Sequence, residues 1–450
     1  MVLTFGKPRL LIKTTPAKPT SSTKKPLSSP PRILVVGTVL VTLIAFGTVI
    51  AVLAIGGRPD PSRLRAAAPL LDGVWRFHVG DDPHWASPDA DDSGWETMNL
   101  SAPANSHDGD VGLPNYVEGW TAHGHPDYHG YAWYRRTVEV PAGNRAWDIL
   151  GPTAVDNAYE LYWNGARLGG SGRLGASPRA VGTRPMIFAL PAGTSGTRGT
   201  LAIRVYMLPG YGSGGIHVAP TLAPRPESDA LYRVEWWRTI AGYIVEVAEP
   251  FTMFALVGLA LVIRQRSSHS SFIALACIAL VLSAVKRLDN AIVSWTDLMS
   301  LPTYVWLIEV LWMPLSLVAW TLAWNRWCAR SWRVIDAATL VLGVVGVVGG
   351  AAHVAAMTHL YRLGLLALLA LIAVRIVRTG PMRIMAVVTM GWILVAQFAD
   401  ELSAIGVPGI WFPFGIGVSR TQYAYAIAIP LLALLIIRTL QDSRDQTTET

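Results

Sequence analysis

FIALACIALVLSAVKRLD (272–289) runs without a charge from Phe272 to Val285 and then closes on Lys286, Arg287 and Asp289. A helix that is apolar all round has no face to offer water, so it belongs to a large core or to a membrane. Its companions decide between the two. Runs of about 18 or more apolar residues mark spanning helices, because hydrocarbon tolerates no unpaired backbone group. Eight such runs are present, at 33–55, 239–263, 272–289, 303–324, 334–357, 362–378, 384–404 and 421–438. The chain of 450 residues is 52% hydrophobic and only 15% charged, against about 25% charged for a soluble domain. The expected fold class is an α-helical membrane protein, with one N-terminal anchor helix and a bundle of seven, and a long polar segment between them.

The formal charge of +7 is local. Lys7, Arg9, Lys13, Lys18, Lys24, Lys25 and Arg32 precede the first run with no acid among them, so the rest of the chain sums to zero. This excludes a basic face for nucleic acid and reads as a topology signal, since cations in short flanking segments stay inside. Residues 1–32 are then a disordered basic cytoplasmic tail, and 58–238 lie outside the membrane. Arg264 and Arg266, then Arg326, Arg330 and Arg333, then Arg378 and Arg383 fall inside in turn, as does the short tail 439–450. The apolar run 33–55 has 23 residues, longer than the 7–15 of a signal-peptide core, which favours an uncleaved anchor.

Between the anchor and the bundle the pattern changes. GVWRFHV (73–79), YAWYRRTVEV (131–140), AYELYWNG (158–165), MIFAL (186–190) and LAIRVYML (201–208) are short alternating or aromatic runs, separated by turn clusters. Such spacing predicts an all-β sandwich over 60–232. Asn164-Gly165 predicts a hairpin, because a type I′ turn needs positive φ at both central residues. The two cysteines, Cys277 and Cys328, lie outside this segment, so no disulfide framework supports it.

GVWRF, DDSGWETM, YAWYRRTVEVP, AYELYWNGARLGGSG and GTLAIRVYM occur in an order that resembles the sugar-binding jelly roll of family 2 glycoside hydrolases, over about 70–222. That resemblance implies a galactose-binding-like domain and the binding of a saccharide. No catalytic barrel follows, so it supplies no hydrolytic residues. With the seven downstream runs, residues 70–438 resemble the bacterial seven-transmembrane receptors with diverse intracellular signalling modules. Those receptors usually end in a kinase, cyclase or phosphatase module, whereas 12 residues follow Arg438 here. The resemblance implies a bacterial inner-membrane receptor that is not itself an enzyme and depends on a separate cytoplasmic or membrane signalling partner.

Two groups of residues are candidate sites. The loop GWTAHGHPDYHGYAWY (119–134) gathers Trp120, His123, His125, Asp127, Tyr128 and His129. Aromatic faces beside a few polar groups suit a saccharide, while Trp133 is assigned to the core. The histidines match no metal-site spacing, so no metal and no cofactor is expected. The acidic loop DDPHWASPDADDSGW (81–95) lacks the ligand order of a calcium loop and is read as a solvated turn.

The second group lies in the bundle, where ionisable residues are costly and mark function. The orientation above brings Glu246, Glu249, Lys286, Arg287, Glu309, Asp400 and Glu401 to the outer third of their helices. Lys286 and Arg287 break the positive-inside pattern, and Glu246, Glu249 and Glu309 at similar depth are their expected partners. Gly343, Gly346, Gly349 and Gly350 give one helix a small-residue face for close packing. No P-loop, Rossmann fingerprint, H-E-x-x-H or G-x-S-x-G is present. The expected function is a membrane receptor-like sensor contacting lipid and a saccharide or envelope glycan. A transporter or polysaccharide-assembly component is the alternative, followed by a membrane enzyme acting on lipid-linked sugar.

Overall fold

A computed structural model describes residues 71–108, 113–175, 178–180, 184–209, 212–296, 298–328, 330–407, 409 and 418–448. The tail 1–32, the anchor 33–55 and the last two residues lie outside the described residues.

The aromatic runs form strands because alternate side chains leave the pleat on opposite sides. In β1 (Val74–Val79), Trp75 and Phe77 are buried while Val74 and Arg76 face out. A six-stranded antiparallel sheet has the order β2-β1-β3-β9-β6-β7, with β2 Glu96–Asn99, β3 Gly130–Glu139, β6 Ala158–Trp163, β7 Ala166–Ser171 and β9 Arg198–Met207. A three-stranded sheet joins β4 (Trp147–Leu150), β8 (Ile187–Ala189) and β11 (Thr221–Pro224) in the order β11-β4-β8, and β5 (Val155–Asp156) pairs with β10 (Gly215–Ile216). Trp75, Phe77, Tyr134, Leu161 and Ile203 of the large sheet meet Trp147, Ile149, Phe188 and Leu222 in one core. Each such side chain stabilises the sandwich by about 1.5–3 kcal/mol. At the β6–β7 hairpin Asn164 and Gly165 have φ of 48° and 82°, the backbone that the dipeptide predicts.

The polypeptide passes from β11 straight into α1 (Arg225–Arg264). This helix begins inside the segment assigned to the sandwich, and the run 239–263 is its C-terminal part. Asp148 on β4 holds the junction, accepting hydrogen bonds from Arg225 Nη2 at 3.1 Å and Ser228 Oγ at 2.6 Å. Next come α2 (Ser270–Trp295), α3 (Leu301–Trp327, with a π-helical stretch Leu307–Trp312), α4 (Arg333–Ala351), α5 (Ala355–Thr379), α6 (Arg383–Gln397), α7 (Ala399–Ala404) and α8 (Arg420–Thr448). Six of these, α1 to α5 and α8, are long and apolar enough to cross a membrane, while α6 is apolar but has only 15 residues. The chain is therefore a multi-pass helical membrane protein with a β domain. In the bundle α1 packs on α2 and α8, α2 on α3, α3 on α4, α4 on α5, α5 on α6, and α6 on α8, which closes a ring.

Two apolar runs end differently from expectation. The run 334–357 breaks after Ala351, where His353 takes φ 52° and the Val354 N–H returns to the Gly349 carbonyl at 2.8 Å. The run 384–404 is two helices, interrupted at Phe398. Hydropathy is blind to both ends because Ala352 and Val354 flank His353 in the first turn and the second falls on Phe398, so the local average stays apolar. The small-residue face of α4 sits in close contacts. A Cβ on Gly346 would lie 2.8 Å from the Tyr361 ring, and one on Gly350 would lie 2.6 Å from the Glu309 carbonyl oxygen.

Candidate functional site

The six residues singled out in the loop 119–134 divide into two sets. Trp120, in a single 3₁₀ turn, is fully buried. Its ring packs 6.0 Å from Phe77, and its Nε1 donates to the Tyr128 carbonyl at 3.1 Å. Tyr128 is half-buried; its hydroxyl donates to the Tyr131 carbonyl at 2.5 Å and accepts from the Gly80 N–H at 3.0 Å. His125 lies against Phe77 and shares a hydrogen bond of 3.0 Å with Glu96. These three build the loop. His123, Asp127 and His129 are exposed and remain available to a ligand. No group of three or more metal-ligating side chains occurs among the described residues.

Trp133 is buried, but on the outer face of the large sheet, away from the sandwich core. It forms a separate cluster with Ala86, Trp95 and Ala202, bordered by Trp85 and Tyr162. The lid over it is the acidic loop, whose Asp81, Asp82, Asp89 and Asp91 are exposed as a solvated turn requires, while its Ala86, Ala90 and Trp95 are buried beneath. Arg135 on β3 enters this loop with a side chain only 3% exposed. Its Nε donates to Asp92 at 2.9 Å, its Nη1 to the Ser87 carbonyl at 2.8 Å and also to the Trp85 carbonyl, and its Nη2 to the Ala90 carbonyl at 3.2 Å. The planar fork of an arginine fits this set of acceptors. Asp82 and Asp91 cap nearby N–H groups of His84 and Ser93, and Asp81 binds Arg204 and the Trp133 indole. Four of the five aspartates, Asp81, Asp82, Asp91 and Asp92, thus accept from the protein's own donors.

A second buried pair joins residues that sequence reasoning missed. His217 Nε2 donates to Asp156 Oδ2 at 2.9 Å and its Nδ1 to the Val117 carbonyl at 2.8 Å, so the ring is doubly protonated. Its ring stacks on Tyr116 with centroids 4.7 Å apart. Burial opposes the charge on His217, but the Asp156 hydrogen bond and charge outweigh it and hold its pKa above the usual 6.5. Burial likewise opposes ionisation of Asp156, yet His217 and the Ser213 and Gly214 N–H groups hold it below 3.8. Burial pushes the Tyr116 hydroxyl up to about 12. By linkage, the His217 contribution is complete below pH 6.5 and is lost as pH rises through its raised pKa; the Asp156 contribution is complete above pH 3.8 and is lost as pH falls through its lowered one. His217→Gln should therefore lower the melting temperature of the β domain most between these limits and progressively less at alkaline pH. A cost of about 3 kcal/mol at pH 6, or roughly 6–12 °C, is expected from thermal melts across pH; a cost independent of pH would deny the charged pair.

In the bundle, Glu246, Lys286, Arg287, Glu309 and Asp400 line one cavity of about 330 Å³. Glu249 stands behind it, with Oε2 3.8 Å from Arg287 Nε and both carboxylate oxygens without a hydrogen bond. Glu246 accepts from Asn290 Nδ2 at 3.0 Å on each oxygen, and Glu309 faces His353 at 3.8 Å. Glu401 is not part of the lining: it binds Arg362, whose Nη2 lies 2.7 Å from Oε2. A search for charges alone overlooks the neutral polar residues of the lining, among them Asn290, Tyr304, Gln397 and Gln422. Glu246 and Glu249 lie in the middle of the long helix α1, level with the C-terminal turns of α2 and the start of α3, where the β domain makes contact. There Arg184 donates to the Ser294 carbonyl at the end of α2, at 2.9 Å from Nε, and Ala180 and Leu208 pack on Val293, Leu301, Tyr304 and Val305.

No protein-family model matches the sequence, and no curated protein matches it. Among solved structures, the chain is similar to Bacteroides uniformis β-glucuronidase 2 (26% identity, TM-score 0.25), over 34% of this chain and 17% of that one. It is also similar to a family 2 glycosyl hydrolase from Bacteroides cellulosilyticus (19% identity, TM-score 0.25; 35% and 20% covered) and to a β-glucuronidase from Faecalibacterium prausnitzii (16% identity, TM-score 0.23; 35% and 31% covered). The chain thus spans about a third or less of the length of each. These neighbours are glycoside hydrolases, which overturns the expectation that the chain is not an enzyme. With so small a part covered, they establish no activity either.

Proposed function

We propose that the chain is a receptor-like sensor of the bacterial inner membrane. Its β domain lies outside and binds a carbohydrate or envelope glycan, and its bundle crosses seven times, with α6 as the sixth pass. Both termini are cytoplasmic in this reading, and the signal reaches a separate cytoplasmic or membrane partner through the Arg-rich inner loops. The observation that carries it is the joint between the two parts. The β domain continues into α1, grips the end of α2 through Arg184 and Ser294, and packs on the start of α3. These three helices line the polar cavity. A glycan with different affinity for two arrangements of the joint shifts their populations, and no other property is required of it. The exposed trio His123, Asp127 and His129 is the proposed glycan contact on the loop that predicts one.

The test uses the full chain in lipid nanodiscs. Glycan arrays should find a binder among acidic, neutral and peptidoglycan sugars, and that binder should change hydrogen exchange across 287–305. Arg184→Ala should keep glycan affinity but lose the exchange response, a coupling of about 1–3 kcal/mol. A blank across all three sugar classes with a folded protein removes glycan sensing. Glycan binding that leaves the helix ends unchanged leaves recruitment for transport or assembly, with the polar cavity as the start of a substrate path.

A further inference from the structure

We infer that the cavity beneath the β domain is a binding site for a small zwitterion, a molecule with one cationic and one anionic group on a short polar spacer. The inference stands on the cavity and is independent of glycan sensing by the β domain. The space of about 330 Å³ falls at the lower end of small-molecule pockets, roughly 300–1,000 Å³. It sits where α1, α2, α3, α6, α7 and α8 converge, so a ligand there touches most of the ring.

The lining carries both signs of charge on different elements. Lys286 and Arg287 come from α2, whereas Glu309 comes from α3 and Asp400 from α7. Charges set into an apolar bundle are costly, and they mark ion or substrate positions. The composition of the wall discriminates between ligand classes. A simple anion meets Glu246, Glu309 and Asp400, and a simple cation meets Lys286 and Arg287. A neutral sugar wants an aromatic face, and among the described lining residues Tyr304 supplies the one ring, its hydroxyl donating to Asn290 at 3.0 Å. A zwitterion meets both signs at once, its acid towards Lys286 and Arg287 on α2, where Glu246 is already held by Asn290, and its base towards Glu309 on α3 and Asp400 on α7. Gln397, Ser419, Thr421 and Gln422 make the rest of the wall polar, with Gln397 held by Tyr425 and Gln422 by Ser419, so a short polar spacer meets a pre-formed polar surface.

The competing occupant is water, of which such a cavity takes about ten molecules. Calorimetry on the full chain in nanodiscs separates the two, with glycine, β-alanine, γ-aminobutyrate and glycine betaine as probes. Butyrate, butylamine and glucose serve as anionic, cationic and neutral controls. At least one zwitterion should bind, and all three controls should bind at least about tenfold more weakly, one lost charge-assisted contact being worth that much. Lys286→Gln and Asp400→Asn should each weaken the zwitterion by a similar factor. The probe series on the unaltered protein decides the matter even if a variant misfolds. Failure of every zwitterion, a control that binds equally well, or binding indifferent to both substitutions in folded protein overturns the site. A glycan blank on the array leaves these outcomes unaffected.

Discussion

Arg135→Ala should be the most damaging single change in the β domain, costing about 3–5 kcal/mol. At roughly 2–4 °C per kcal/mol for a domain of this size, the melting temperature falls by about 6–20 °C. The reason is concentration of bonds. One guanidinium holds the carboxylate of Asp92 and three backbone carbonyls, and it stands 5.6 Å from the Trp95 ring centroid. Without it the Trp85 and Ala90 carbonyls lose the donor beneath the loop, the Ser87 carbonyl keeps only the Ala90 N–H at 3.3 Å, and the cluster around Trp133 loses its lid. Arg135→Lys should recover little, because a single ammonium cannot reach all four acceptors in one plane. Tryptophan fluorescence during melting of the full chain gives the size of the effect, and limited proteolysis within 82–95 gives its location. A melt within about 2 °C of the parent, less than one kcal/mol by the same scale, means that the loop is held by something else.

The second large effect lies in the bundle. Arg287→Met removes the cation 3.8 Å from Glu249, whose side chain is 7% exposed and accepts no hydrogen bond. A buried charge left alone costs about 3–5 kcal/mol, whereas replacing both partners with apolar residues is often neutral. The double variant Glu249→Met with Arg287→Met should therefore be more stable than Arg287→Met alone. The cycle should show a coupling of about 2 kcal/mol or more. Unfolding in mixed micelles measures all four proteins. Simple additivity of the two single effects would mean that the groups do not act as a pair.

Both predictions rest on contacts that were legible to different degrees. The Lys286–Arg287 pair announces itself in the sequence by violating the charge pattern of the loops, and acidic partners at matching depth narrow the choice. Which acids reach Arg287 is a matter of helix rotation, and Glu249 lies 3.8 Å from it while Glu246 accepts from Asn290. Depth is one-dimensional and follows from residue number; azimuth depends on how the neighbouring helices pack. Arg135 gives no such signal, being one of two adjacent arginines in a strand. Period-2 alternation sends Arg136 and Arg135 to opposite faces, but only the folded loop shows that the outer face is covered.

The same division runs through the whole protein. The apolar runs, the strand segments, the Asn164-Gly165 turn and the small-residue face of α4 follow from the sequence by itself. Each is local in its physics: hydrophobic length against a bilayer, side-chain alternation, the backbone demand of one turn, and the volume missing from four glycines. The tertiary structure alone decided that Trp120 is buried in the core, that Asp156 and His217 become an ion pair, and that an apolar run breaks at Phe398. It also joined charged residues from four separate helices and their neutral neighbours into one cavity. Those outcomes depend on which surfaces meet after the chain has closed on itself, where residues 61 positions apart lie within hydrogen-bond distance.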